Sequence, residues 1–309
     1  VSADALVELK TLLRDLVRAD GEDTDLAVRA AHQLQGLCAL PLAPTDRVEV
    51  RLEDRPPQLH DADARALLGD FECTASDAAL AVHRLDGQVV GGQPLRVVVA
   101  LPDGRSLPAV PRHLRGDRGR WGRSDPWLPH LDDVGRRSLT PLGLAERMAG
   151  RVTAARVVDA CCGCGGNAVA FARAGLQVTA VELDGHRARL ARENARARGV
   201  SERVRVVTGS VEAHLDALLS PGVLLFVDPP WVPDGADRAT TFDTLFSRLP
   251  RLAEAIASWP QVMLKLPRAF DVRTLPGGPD HWTLRYERGC VDTGDARVVR
   301  MITAMRRSG

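Results

Sequence analysis

The sequence predicts a doubly wound α/β domain with an antiparallel edge pair over residues 139–309, a smaller N-terminal α+β accessory domain over 1–110, and a connector over 111–138. Three observations carry this. From residue 155 onward, short apolar runs alternate with amphipathic stretches, the pattern of buried parallel strands covered by helices. Before residue 110, helical and strand-like stretches are mixed without that alternation. Between the two, Arg, Gly, Pro and Asp concentrate as they do in segments with little regular structure.

Taken in order, Leu6, Leu9, Leu12, Leu13, Leu16 and Val17 recur at helical spacing, with Ser2 as an N-cap. Residues 24–37 continue in that mode until Pro41 and Pro44 break it. VEVRL at 48–52 alternates like a strand, residues 61–85 read as helical, and LRVVVALP at 95–102 as a second strand. In the larger domain the predicted strands are 155–159, 177–182, 203–207, 223–228 and 261–266. Helices are expected around 167–174, 185–198, 211–219 and 242–258. The runs at 281–287 and 296–306 follow with no long helix between them, which suits the antiparallel pair at a sheet edge.

Composition narrows the function. Of 309 residues, 45% are apolar and 26% charged, a globular rather than disordered profile. No run approaches the roughly 18 apolar residues of a membrane span. The opening VSADALVELK lacks a basic flank before an apolar run, so a cytoplasmic location is expected. A net charge of +1 argues against bulk electrostatic capture of nucleic acid. The charge is uneven, −7 over residues 1–100 and positive beyond, so an anionic partner should meet the second half. Cys161, Cys162 and Cys164 crowd four residues and find no neighbouring His or Cys pair that completes a zinc pattern, so no metal is expected.

In a doubly wound sheet, ligands sit beyond the carboxyl ends of the strands, where the strand order reverses. The first predicted strand ends in Asp159, then Ala160-Cys161-Cys162-Gly163-Cys164-Gly165-Gly166-Asn167. Small residues there let backbone amides approach a ligand, and a helix N-terminus follows. The spacing is not the G-x-G-x-x-G of dinucleotide binders. Asp159 would also repel a pyrophosphate and suits a ligand carrying an ammonium group. Glu182, at the second strand end, is placed to accept hydrogen bonds from ribose hydroxyls, while Asp184 suits a helix-capping role. The third strand ends in Thr208-Gly209-Ser210, where Ser210 can face an adenine edge. The fourth ends in Asp228-Pro229-Pro230-Trp231. Two prolines lock an extended turn and contribute no N–H, so carbonyls point into the cleft. A carboxylate before them and a flat aromatic after them describe a slot for a planar amine.

Together these residues resemble the class I S-adenosylmethionine-dependent methyltransferases with their Rossmann-like sheet, and within them the trimethylguanosine synthase family, RNA cap guanine-N2 methyltransferases. SLTPLGLAERMAGRV at 138–152, VVDACCGCGGNAVAFA at 157–172, VELDGHRARLARENA at 181–195, DPPWVPDG at 228–235 and KLPRAFDV at 265–272 carry the likeness. It covers roughly residues 120–309. The resemblance implies S-adenosylmethionine as cofactor. Thr140, Asp159, Cys161, Gly163, Gly165 and Asn167 would cradle its methionine end, with Glu182 on the ribose and Ser210 near the adenine. Trp231 would stack on the acceptor base and Arg268 approach a phosphate attached to it. The family usually has Ser where this chain has Asp228, the form found in N6-adenosine methyltransferases. It has an acid where Ser210 stands, and paired glycines where Val232 and Pro233 stand.

The expected reaction is methylation of an exocyclic nucleobase amine, first of all guanine N2 in RNA or a nucleotide. Arg112, Arg115, Arg118, Arg120 and Arg123 around Trp121 are the candidate RNA contact, Arg120 and Trp121 foremost. Two alternatives stay open: a small-molecule N-methyltransferase, and a catalytically silent cofactor-binding interaction module.

Overall fold

The structure is a computed structural model that describes residues 45–53, 55–56, 59–68, 71–100, 127–231, 240–288 and 299–307, together with Leu12, Arg29 and His32. The chain divides into two compact units. One runs to Arg123 and takes in residues 237–239 and 288–300; the other comprises 124–236, 240–287 and 301–309.

In the first unit, β1 (Arg47–Glu53) lies between β2 (Glu72–Thr74) and β5 (Arg96–Ala100), antiparallel to both. A two-stranded hairpin of β3 (Val89–Val90) and β4 (Gln93–Pro94) precedes β5. Helix Ala75–Leu85 packs on β1 and β5 and buries Ala78, Ala81 and Leu85. The span 61–85, read from sequence as one helical stretch, is instead two helices, Asp61–Leu68 and Ala75–Leu85, with β2 between them. The Thr74 hydroxyl accepts from the Asp77 amide at 3.1 Å, so it ends the strand and starts a new helix. The helices expected before residue 40 lie outside the described residues, apart from three helical positions.

The second unit holds a seven-stranded sheet of β6 (Arg156–Asp159), β7 (Gln177–Glu182), β8 (Val204–Thr208), β9 (Val223–Val227), β10 (Val262–Pro267), β11 (Trp282–Arg288) and β12 (Val299–Arg306). Its order is β11-β12-β10-β9-β6-β7-β8. Strands β6 to β10 pair in parallel, and β12 runs antiparallel to β10 with β11 outside it. This is the predicted doubly wound sheet with its antiparallel edge. All five residues of β9 are buried, as a strand covered on both faces must be. Beneath the sheet, Phe171 from helix Gly166–Arg173 meets Phe226 edge-on at 4.9 Å within a cluster that includes Met148, Val157, Val178 and Met263. The expected helix over 242–258 is two helices, Phe242–Phe246 and Pro250–Ser258. Pro250 lacks the N–H that would continue the first and suits the opening turn of the second. The stretch at 211–219 is likewise a 3-10 turn, Val211–Ala213, and one short helix, Leu215–Leu218.

Of the expected connector, residues 127–138 are described and carry regular structure. Residues 127–138 include helix Asp133–Ser138, capped by the Asp132 carboxylate on the Gly135 amide at 2.6 Å. Fully buried Asn194 holds this segment down. Its amide accepts from the His130 N–H at 3.0 Å and donates to the carbonyls of His130 and Cys164, each at 2.8 Å. The polar composition of 127–138 reads as loop, but its polar groups find tertiary partners. The strand order reverses between β6 and β9, whose carboxyl ends therefore frame the crevice where this fold binds ligands.

Candidate active site

Asp159 closes β6 and is completely buried, with neither carboxylate oxygen in a hydrogen bond among the described residues. Burial, and after it the negative charge of Asp228, push its carboxyl up to about 8. An isolated buried acid of this kind is costly unless a cationic partner arrives. Two further buried polar atoms nearby in sequence order share the condition: Thr140 Oγ1 and Asn167 Oδ1 lack partners among the described residues.

The loop after β6 turns through two left-handed glycines, Gly163 at φ 54° and Gly165 at φ 87°. A Cβ on Gly163 would project into open space, so the loop leaves room beside its backbone. A Cβ on Gly165 would come within 3.1 Å of the Ala191 Cβ, so glycine there permits close packing on helix Gly185–Ala197. Glu182 ends β7, nearly buried, and accepts from the Gly163 amide at 2.8 Å and the Asp184 amide at 3.0 Å. These bonds fix its carboxylate at the rim of the loop. Asp184 caps the following helix through the His186 and Arg187 amides, which is the role its position suggested. Beside Glu182, Leu183 is 74% exposed, an apolar side chain left at the strand end. Cys161 is half-buried, Cys162 and Cys164 are buried, and burial raises all three thiols, Cys164 to about 11. They are neutral packing groups rather than nucleophiles.

Asp228 follows β9. Its Oδ2 accepts from Asn167 Nδ2 at 3.1 Å and forms an ion pair with Lys265 Nζ at 2.6 Å. Burial raises the Asp228 carboxyl, and Lys265 and Asn167 oppose that rise. Lys265 Nζ also lies 4.9 Å from the centre of the Trp231 ring. Pro229 is buried and Pro230 exposed. The sheet thus brings together the loop residues, Glu182, Asp228 and Trp231. Thr140 sits just ahead of helix Leu142–Ala149, its carbonyl accepting from Trp127 Nε1 at 2.9 Å. Ser210 stands one residue past Gly209 at the end of β8, and Arg268 in the turn after β10. Arg120, Trp121 and the other arginines of that cluster lie outside the described residues, as do Val232 and Pro233.

Sequence reasoning missed Lys265, Leu183 and the clamp made by Asn194. Lys265 had a signal: it is one of two lysines in the chain and interrupts the apolar run QVMLKL. Leu183 and Asn194 lie within VELDGHRARLARENA, where nothing in their spacing singles them out.

Residues 154–303 match the family model described as RNA cap guanine-N2 methyltransferase. A trimethylguanosine synthase of Schizosaccharomyces pombe is 28% identical over 182 residues, covering 52% of this chain and 68% of that protein. Over these residues the chain resembles the RNA cap guanine-N2 methyltransferase family. The chain is accordingly a methyltransferase, and its cofactor is S-adenosylmethionine. TrmN from Thermus thermophilus is 21% identical with a TM-score of 0.37, over 54% of this chain and 48% of that one. An RNA methyltransferase from Salinibacter ruber, solved with S-adenosyl-L-homocysteine, is 18% identical at 0.35, over 54% and 91%. The chain thus spans about half of the Thermus protein it matches. The orphaned polar atoms fit the cofactor: Asp159 offers a buried carboxyl whose charge an ammonium would draw out, and the glycine loop leaves space beside it. No described helix is long and apolar enough to cross a membrane.

Proposed function

We propose that this methyltransferase acts on the exocyclic amine of a nucleobase, first of all guanine N2 in RNA or a nucleotide. The observation that carries the reading is the slot made by Asp228 and Trp231: a carboxylate tied down through one oxygen beside an aromatic ring, at the switch point of the sheet. The family match supports guanine as the first base to test.

In this reading Asp159, Thr140 and Asn167 hold the methionine end of the cofactor, with Cys161, Gly163 and Gly165 shaping the loop around it. Glu182 accepts from the ribose hydroxyls, while Leu183 and Ser210 border the adenine. When bound, S-adenosylmethionine supplies an electrophilic methyl group. The protein contributes alignment and exclusion of water. A conjugated exocyclic amine is a poor nucleophile because its lone pair is delocalised into the ring. Asp228 and the Pro229 carbonyl accept its two N–H bonds and so draw the nitrogen toward tetrahedral geometry. Trp231 fixes the plane of the base, and Pro230 stiffens the turn between them. Asp228 then takes the proton that the methylated nitrogen sheds. Losing such an oriented acceptor costs on the order of 3 kcal/mol in transition-state stabilisation. Arg268 approaches a phosphate of the acceptor, and the Arg120–Trp121 segment contacts RNA. Residues 1–110 serve as an accessory domain, 111–138 as the connector and 139–309 as the catalytic domain.

The test is transfer of labelled methyl groups to GDP, 7-methyl-GDP, adenosine nucleotides, short RNAs and a panel of small aromatic amines, with products identified by mass. N2-methylguanine supports the reading. Methylation confined to adenine or to small amines replaces the acceptor. Cofactor binding without transfer to any of them would favour a silent binding module. RNA as substrate further requires that activity fall steeply with added salt.

A further inference from the structure

Asp228 is one of the positions at which this chain departs from the resembled family, which usually has serine there, and the fold sets a lysine against it. Lys265 lies in β10 between Leu264 and Leu266, both fully buried, and is itself 3% exposed. An apolar residue would satisfy packing there, and a buried ion pair is seldom more stable than the apolar pair that could replace it. The charge at this position therefore calls for a role other than stability.

The geometry indicates what that role is. Lys265 Nζ at 2.6 Å and Asn167 Nδ2 at 3.1 Å both engage the same oxygen, Oδ2 of Asp228. Oδ1 makes no hydrogen bond or ion pair among the described residues. The ammonium also sits 4.9 Å from the Trp231 ring centre, so one cation touches both members of the acceptor slot. We propose that Lys265 is a positioning residue that holds Asp228 as an ionised hydrogen-bond acceptor, with Oδ2 tied down and Oδ1 presented to the acceptor amine, so that Asp228 and Lys265 act as a unit. This rests on the reading of the site as an amine methyltransferase.

The charged and titratable groups facing Asp228 make the requirement concrete. Burial opposes its ionisation, Asp159 from β6 is itself raised by the charge of Asp228, Cys161 is neutral, and Lys265 is the cation that favours the ionised form. Without the lysine, burial leads this carboxyl to take up a proton. A carboxylic acid presents an O–H where the amine needs an acceptor, so the variant would be strongly impaired at neutral pH and recover as the pH is raised.

Two measurements test this without depending on turnover. In protein carrying labelled aspartate, the carboxyl carbon of Asp228, assigned through D228N, should titrate at least about one pH unit higher in K265M than in the wild type, and return in K265R. Because the chain holds two lysines, a spectrum of labelled lysine Nζ is simple. In D228N the Lys265 Nζ signal should move from its wild-type position, because the anion that holds it is gone. Once the acceptor is known, kcat/KM of K265M at neutral pH should fall roughly a hundredfold, with its acid limb displaced upward and restored in K265R. Unchanged titration of Asp228 in folded K265M, or an unmoved Lys265 Nζ signal in D228N should K265M fail to fold, overturns the proposal. If both signals respond but no amine is ever methylated, the pair stands and the reading of the reaction fails.

Discussion

Replacing Asp159 with Asn separates what this site costs from what it does. The carboxyl is fully buried and raised from an ordinary 3.8 to about 8, mainly by burial and secondarily by Asp228. In the unfolded chain it ionises freely near its ordinary value, so at pH 7 the ligand-free protein forgoes that ionisation. A raised carboxyl pKa gives relative stability at low pH that is lost as the pH climbs from about 4 to 8. At about 1.4 kcal/mol per unit, the roughly three units between the unfolded value and pH 7 amount to about 4 kcal/mol as an upper figure. D159N, neutral at every pH, should therefore be more stable than the wild type by about 2–4 kcal/mol at pH 7, on the order of 5–10 °C in Tm. The advantage should vanish near pH 4. The same substitution should abolish measurable binding of S-adenosylhomocysteine. In the wild type, the ammonium of that ligand draws out the charge, so binding at pH 7 should release close to one proton (about 0.9) and tighten up to about tenfold per unit between pH 6 and 7. Calorimetry in buffers of different ionisation enthalpy reads the proton directly. Binding without proton release, affinity flat from pH 6 to 8, or a D159N protein less stable at pH 7 would refute the reasoning.

Other substitutions probe the remaining parts. Glu182→Gln should weaken S-adenosylhomocysteine about 10–100-fold by calorimetry, because a charged acceptor held by the Gly163 and Asp184 amides is lost. Trp231→Ala should leave cofactor affinity within about threefold while removing acceptor binding, since the ring supplies stacking area and not a cofactor contact. Asn194→Ala should lower stability by about 2–4 kcal/mol in urea denaturation, because the His130 amide and two buried carbonyls lose their partner.

The parallel strands were legible because burial on both faces leaves unbroken apolar runs. QVTAVE predicts a strand over 177–182 and β7 is Gln177–Glu182, while VLLFVD extends one residue past β9 to include Asp228. Boundaries within helical stretches were harder. Thr74 and Pro250 each divide a span that amphipathic periodicity had joined, although both are helix-start residues visible in the sequence. The loop glycines, Glu182 and the Asp228–Trp231 turn could be placed because each follows a strand end, where this topology collects its functional groups. Lys265 could not be paired with Asp228 in this way, since that contact depends on β9 and β10 being neighbours and on their register. Residues 127–138 read as connector because local composition contains no trace of the distant Asn194 that orders them.

The most direct test of the central claim is a calorimetric titration of the purified chain with S-adenosylhomocysteine, followed by guanine nucleotides on the saturated complex. We predict one cofactor site per chain, lost in D159N, and guanine nucleotide binding that appears on the saturated complex and is lost in W231A. Failure of the wild-type protein to bind S-adenosylhomocysteine would contradict the account of the site, and cofactor binding with no guanine nucleotide binding would contradict the proposed acceptor.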